Sequence, residues 1–267
     1  MKNLVGKNIV ITGAAKGIGR EMALLFAQEK SNLAIVDIDM DELNKTAIEL
    51  EQCGVRVSSY KCDVSKRDEI EKICEKIQND FDKIDILINN AGIVVGKPII
   101  DSSYDDIKRT IDINLMGVIW MIKQFLPDMI RLNDGHIVNI ASAAGLMAIP
   151  GLADYCATKF GVIGYTDALR MEMKKYGHHG VKTTCICPSA IDTGMFDGFK
   201  PPLLNPILKQ EMVAKKIVAT IKKEHTYLKI PFMMKLAPMF KLFPATFADW
   251  LCKLSGTEQT MDHFKGH

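Results

Sequence analysis

An excess of charge of one sign is absent from this chain. Its formal net charge is +2 over 267 residues, too near neutral to argue for a nucleic-acid surface. Metal-ligand spacing is absent too. Cysteines stand at Cys53, Cys62, Cys74, Cys156, Cys185, Cys187 and Cys252 with no Cys-x-x-Cys pair, so zinc and dithiol redox motifs have no support. His136, His178, His179, His225, His263 and His267 lack ligand spacing as well, and no metal is expected. An odd, dispersed set of cysteines fits reduced thiols, hence a cytoplasmic location. There is no internal repeat and no low-complexity tract. Met1-Lys-Asn-Leu-Val-Gly-Lys7 runs directly into an apolar stretch, so neither a signal peptide nor an N-terminal membrane anchor is expected. What is present is an ordinary globular composition, 48% hydrophobic and 25% charged, in a length that suits one large α/β domain over residues 1–267.

Short apolar runs alternate with helical patterns. Ile9-Val10-Ile11 reads as a strand buried on both faces. It ends in Thr12-Gly13-Ala14-Ala15-Lys16-Gly17-Ile18-Gly19, where a helix with Ile18, Met22, Leu25 and Phe26 on one side begins. Glycines there let a diphosphate touch backbone, and the helix N-terminus favours an anion. The spacing is Gly-x-x-x-Gly-x-Gly, and its place after the first strand favours binding over a mere tight turn. A second strand, Leu33 to Val36, ends at Asp37. A carboxylate there accepts from a ribose diol and repels a 2′-phosphate, which argues for NAD over NADP. Lys16 is a mild counter-signal. Asp39 or Asp41 reads better as the cap of the next helix.

Val55 to Lys61 reads as a third strand, ending before Asp63-Val64. Asp63 either meets the adenine amino group or caps the next turn. A fourth strand, Ile84 to Ile88, ends in Asn89-Asn90-Ala91-Gly92, and Gly92 permits close approach of a cofactor. A long helical pattern from Ile107 to Met129 carries Asn114. A fifth strand, Ile137 to Ile140, runs to Ser142, and a sixth, Val181 to Ile186, into Pro188-Ser189-Ala190-Ile191-Asp192-Thr193. This alternation predicts a single-domain α/β fold, a doubly wound parallel sheet with helices on both faces. Thr12, Asp37, Asp63, Asn89, Ser142 and Pro188 all fall at carboxyl ends of strands, where such sheets bind ligands.

Tyr155-Cys-Ala-Thr-Lys159 places a phenol and an ammonium one helical turn apart on one face. A fixed cation beside the phenol is expected to bring its pKa of about 10 toward neutrality. Tyr155 then moves a proton while Ser142 hydrogen-bonds the substrate oxygen. Tyr-x-x-x-Lys by itself is common and more often marks an amphipathic helix whose Tyr and Lys merely face solvent.

Taken together, Thr12-Gly13-x-x-x-Gly17-x-Gly19, Asn89-Asn90-Ala91-Gly92, Asn114, Ser142, Tyr155-x-x-x-Lys159 and Pro188 to Thr193 resemble the short-chain dehydrogenase/reductase family. The match spans about the first two hundred residues, with Ser189 where many members have glycine. The resemblance implies a Rossmann fold and hydride transfer with NAD, Tyr155 as acid/base and Ser142 orienting the substrate oxygen. Lys159 would bind the nicotinamide ribose and lower the tyrosine pKa, and Asn114 would hold a water linking Lys159 to solvent. Gly13, Lys16, Gly17, Ile18, Gly19, Asp37, Asp63, Val64, Asn90, Ala91, Gly92, Tyr155, Lys159, Pro188, Ile191 and Thr193 would line the cofactor. Asn89 would be mainly structural, with the Ile93 loop beside the cofactor. A homodimer or homotetramer is implied through the long helix after the fourth strand and the Tyr155 helix.

Residues 194–226 read as a substrate loop and helix, with Val213, Ile217 and Ile221 inward. Tyr227 to Ile230 reads as a last strand. The 231–267 segment is apolar and rich in Met and Phe, with lysines interspersed, but Pro231, Pro238 and Pro244 break it too often for a spanning helix. It is expected to cap a lipophilic pocket or pack an interface, with contact to a membrane surface as the third reading. Thr193-Gly194-Met195-Phe196 resembles the retinol and 17-beta-hydroxysteroid dehydrogenase branch, implying a hydrophobic, retinoid-, steroid- or lipid-like alcohol or carbonyl. The alternatives are a 3-oxoacyl thioester reductase and a non-catalytic nucleotide-sensing or lipid-surface protein.

Overall fold

Each apolar run forms a strand because a parallel sheet covered on both faces buries every side chain in it. The computed structural model describes residues 3–202, 206–240 and 242–264. Met1, Lys2, the 203–205 part of the substrate region, Lys241 and the 265–267 end of the apolar segment lie outside the described residues. The strands are β1 (Asn8–Thr12), β2 (Asn32–Asp37), β3 (Val57–Lys61), β4 (Ile86–Asn89), β5 (Gly135–Ile140), β6 (Val181–Pro188) and β7 (Tyr227–Ile230). They form one parallel sheet in the order β3-β2-β1-β4-β5-β6-β7. Chain direction across the sheet therefore reverses between β1 and β4, and the crevice at that switch point is where such sheets take ligands.

The strand period of two divides the core. Val10, Ala34, Val36, Leu87 and Ile137 face one layer, packed on α3 (Arg67–Asp80), α5 (Gly117–Leu132) and α6 (Ala153–Lys175). Ile9, Ile11, Leu33, Ile35, Ile86 and Ile88 face the other, packed on α1 (Gly17–Gln28), α2 (Met40–Glu51) and α7 (Gln210–Lys222). Full burial of such a side chain stabilises by roughly 1.5–3 kcal/mol, which outweighs the few tenths of local propensity. Asp39 caps α2, accepting from the Glu42 amide at 3.2 Å.

The pattern from Ile107 to Met129 is not one regular helix. It divides into α4 (Tyr104–Ile111), a π-helical turn over Asp112–Met116 and α5. Asn114 sits in that turn, fully buried. An inserted residue of this kind rotates one side chain off the regular helical stripe.

After β7 the chain continues through α8 (Ala237–Phe240) and α9 (Ala245–Leu254). Among the described residues no helix is long and apolar enough to cross a membrane, and no cluster of side chains is suited to a metal ion.

Candidate active site

The glycine turn between β1 and α1 is fixed from the β4 side. The Asn90 side-chain amide donates to the Thr12 and Gly13 carbonyls at 3.0 and 2.9 Å, and the Asn90 and Ala91 amides donate to the Thr12 hydroxyl at 3.0 and 3.1 Å. A Cβ on Gly19 would lie 1.9 Å from the Gly13 carbonyl oxygen, so the turn closes only with glycine there. Helix α1 starts with no side-chain cap and no acidic residue in its first turn. Its orphan N–H groups and positive dipole end are thus left for an anion. Asp37 accepts from the Ala15 amide at 3.0 Å and the Asp39 amide at 3.1 Å, which ties the end of β2 to the glycine turn. Lys16 is exposed, and Ile18 packs partly on the core behind the turn. Thr193 lies 3.4 Å from where a Gly17 Cβ would be, so the chain after β6 closes over the glycine turn. Pro188 ends β6, and Ile191 is buried in a bridge to Leu208. These residues fit a dinucleotide: an uncapped helix start for the diphosphate and a carboxylate one strand over for a ribose.

Asp63 and Val64 also have local partners. Asp63 accepts from the Ser65 amide at 3.0 Å and the Ser65 hydroxyl at 2.7 Å, the turn-capping alternative. These bonds and the Lys66 ammonium hold its carboxyl below the usual range despite the opposing effect of burial. Val64 sends its side chain into the core layer. Asn89 is structural as expected, donating to Asn139 at 2.8 Å across the β4–β5 pair.

On α6, Tyr155 and Lys159 are both buried and share one face, with the Lys159 nitrogen 5.5 Å from the Tyr155 ring centre. Lys159 donates to the Ile140 carbonyl at 3.0 Å. Asn114 accepts from the Ile93 amide at 2.8 Å and donates to the Ile93 carbonyl at 2.9 Å, locking that loop beside Lys159. Gly92 completes the group: a Cβ there would be 3.2 Å from the Asn114 oxygen and 3.6 Å from the Lys159 nitrogen. Ser142 begins a short turn at the end of β5, and its hydroxyl accepts from the Ala144 amide at 3.1 Å. It also hydrogen-bonds Tyr155.

The ionisation expected of this pair needs correction. Burial pushes the Tyr155 phenol up to about 12, partly opposed by the Ser142 hydrogen bond. Burial pushes the Lys159 ammonium down to about 8. Both charged forms lose hydration in the same closed site, and burial is the largest influence on each. The chain by itself therefore holds a neutral phenol beside a weakly acidic ammonium.

Ser142 and Tyr155 open onto a cavity of about 560 Å³, the size of an elongated lipophilic molecule. Its walls come from Leu146, Ile149, Leu152 and Phe160, from Phe196 and Phe199, and from Met233, Met234, Phe243 and Cys252 of the C-terminal segment. Those last residues lie about 80 to 100 positions from Tyr155, and their part in the site has no sequence signal beyond apolarity. The Ile140 carbonyl, which accepts from Lys159, is likewise a functional support that the sequence does not single out.

A switch-point crevice with an uncapped helix start, next to a buried Ser-Tyr-Lys group that faces an apolar cavity, defines a nicotinamide-dependent oxidoreductase. The chain belongs to the short chain dehydrogenase family, whose model matches residues 7–202. Within it the chain groups with the retinol and hydroxysteroid dehydrogenases. It is 40% identical over 233 residues to epidermal retinol dehydrogenase 2 of Mus musculus, covering 86% of this chain and 75% of that protein. It is 34% identical over 242 residues to 17-beta-hydroxysteroid dehydrogenase 13 of Rattus norvegicus, covering 91% and 80%. Among solved structures, a short chain dehydrogenase/reductase from Burkholderia phymatum in complex with NAD superposes with a TM-score of 0.82 at 27% identity, covering 91% of this chain and 95% of that one. These relatives favour neither the acyl-thioester reductase nor the non-catalytic alternative.

Proposed function

We propose that this enzyme interconverts a hydrophobic alcohol, retinoid-, steroid- or lipid-like, with its carbonyl compound, using NAD. The observation that carries this reading is the apolar cavity ending on the Ser142 and Tyr155 hydroxyls. When bound, the cofactor supplies a hydride donor or acceptor. Ser142 hydrogen-bonds the substrate oxygen. Tyr155 takes the alcohol proton in oxidation and gives it back in reduction. Lys159, Gly92 and the Asn114-held loop form the wall against which a nicotinamide ribose fits. The apolar walls exclude water and hold the reacting carbon in place. The test is a spectrophotometric screen of alcohols and ketones with both cofactors. Turnover of short acyl thioesters, with retinoids, steroids and long-chain alcohols all inert, would reverse the choice of substrate.

Asp37 supports NAD over NADP, since a fixed carboxylate at the ribose repels a 2′-phosphate. Asp37→Asn keeps an oxygen to accept from the Ala15 amide but removes the charge. We expect it to narrow the preference for NADH over NADPH by about tenfold, the effect of one unit charge at close range in a partly screened site. Fluorescence titration of both reduced cofactors reads this directly. Tighter NADPH binding by the unaltered enzyme would show that Lys16, not Asp37, sets the choice.

The C-terminal segment is apolar on both sides. Met233, Met234 and Phe243 line the cavity, while Phe232, Met239, Leu242, Trp250 and Leu254 are exposed. This supports a pocket cap whose outer side rests on lipid, with Lys235 and Lys253 beside it for anionic headgroups. The expected result is flotation with vesicles containing anionic lipid, reduced several-fold by the double change Leu242→Ser and Trp250→Ser. Recovery of the unaltered protein wholly in the unbound fraction would exclude the lipid contact. Ala157, Gly164 and Ala168 leave an open, small-residue face on α6, which supports a homodimer or homotetramer through α5 and α6, readable by sedimentation equilibrium.

A further inference from the structure

The ring of Phe196, in the loop after β6, has three aromatic neighbours, Tyr155, Phe199 and Phe264. Its edge meets Tyr155 with centroids 6.3 Å apart at 82°. Phe199 stands 5.8 Å from it at 70°, and Phe264 6.4 Å from it at 61°. Phe196 lines the substrate cavity and Phe264 does not. Phe264 arrives from the end of the chain, more than a hundred residues beyond Tyr155, and its seat there is closely built. A Cβ on Gly96 would lie 2.2 Å from the Phe264 ring, and one on Gly198 would lie 2.0 Å from the His263 carbonyl oxygen. The Lys200 amide donates to the Thr260 carbonyl at 3.0 Å, fastening the tail to the same loop that carries Phe196. Met261 and Phe264 join the apolar cluster that contains Val94, Leu152 and Tyr155.

We propose that Phe196 is the specificity-determining wall beside the reacting oxygen, and that Phe264 is the positioning residue that holds it there. The inference rests on the proposed role of Tyr155. A ring standing edge-on to the phenol limits the width of the group attached to the reacting carbon, so a slim primary alcohol is accepted and a bulky secondary one is disfavoured. Without Phe264 the Phe196 ring keeps Phe199 but loses the support brought by the C-terminal segment and gains room to move, because a fixed rotamer needs packing all round.

The experiment is a double-mutant cycle on the ratio of kcat/KM for a linear primary alcohol to that for a bulky cyclic secondary alcohol. Phe264→Ala is expected to lower this ratio by about two- to tenfold, the range that one aromatic pair contributes. Phe264→Leu restores part of it, and NADH affinity stays unchanged in both. In a Phe196→Ala background, Phe264→Ala has no further effect on the ratio, since it acts through a ring no longer there. Independent, additive effects or an unchanged ratio would overturn the proposal. A second readout needs no turnover, which separates this inference from the assignment of the reaction. In a Phe196→Trp variant, Phe264→Ala shifts the emission of Trp at position 196 to the red and lowers its anisotropy, read as a difference from the parent protein. No change in that emission would overturn the positioning role whatever the fate of the alcohol screen.

Discussion

Tyr155→Phe should lower kcat/KM by about a thousandfold while the dissociation constant for NADH moves by less than about threefold, within the range for loss of a positioned acid/base group. The substitution deletes a single oxygen. The ring that remains keeps its edge contact with Phe196 and its place among Val94, Leu152 and Cys156, so packing is unchanged. What disappears is the hydroxyl that shares the cavity floor with Ser142. Because burial, only partly opposed by the Ser142 hydrogen bond, pushes the phenol up to about 12, it is a competent proton donor for reduction across the neutral range. Oxidation, which needs the ionised form, should accelerate as pH rises. Stopped-flow turnover in both directions from pH 6 to 10, with a parallel NADH titration, checks both statements. Activity within tenfold of the unaltered enzyme would remove Tyr155 from the chemistry.

The second large effect concerns stability and has the opposite sign from activity. Lys159 is buried, and its ammonium is pushed down to about 8 from an ordinary 10.5. A lysine with a depressed folded pKa binds its proton more weakly folded than unfolded. At neutral pH the folded chain carries that charge at a penalty. The penalty shrinks as pH rises from about 8 toward the unfolded value, where the folded chain has shed its proton and the unfolded one has not. Lys159→Met removes the charge and keeps the length. The depression corresponds to about 3 kcal/mol, and the lost bond to the Ile140 carbonyl returns about 1 kcal/mol of it. We expect Lys159→Met to be more stable by about 2 kcal/mol at pH 7, with the gain vanishing near pH 10. The same variant loses most turnover, since function retains a group that folding disfavours. Urea unfolding of both proteins at pH 7, 8.5 and 10 gives the difference curve. A flat curve, or a less stable variant at pH 7, would show that the buried ammonium carries no such penalty.

Some of this site was legible from residue order alone. Ile9 to Ile11, followed by Gly13, Gly17 and Gly19, announces strand, turn and helix because glycine spacing and apolar runs are local properties. Tyr155 and Lys159 share a face because helical periodicity puts them there. Asp63 fits two readings from residue order, and its bonds to Ser65 appear only once the turn has folded. The interruption at Asn114 is not legible in residue order, because one π-helical turn is too short to stand out against the apolar pattern of the long helix around it. Spacing shows that a cation is near Tyr155, but burial decides whether either group is willing to ionise.

The sequence by itself determined the alternation of strands and helices, the residues at the carboxyl ends of the strands and the pairing of phenol with ammonium, all set within a few neighbouring positions. The tertiary structure alone decided how the C-terminal segment closes over Ser142 and Tyr155, how Phe264 backs Phe196, and how deeply the catalytic pair is taken out of water. Those features join segments tens to more than a hundred residues apart, and they exist only once the chain has folded and closed the site to solvent.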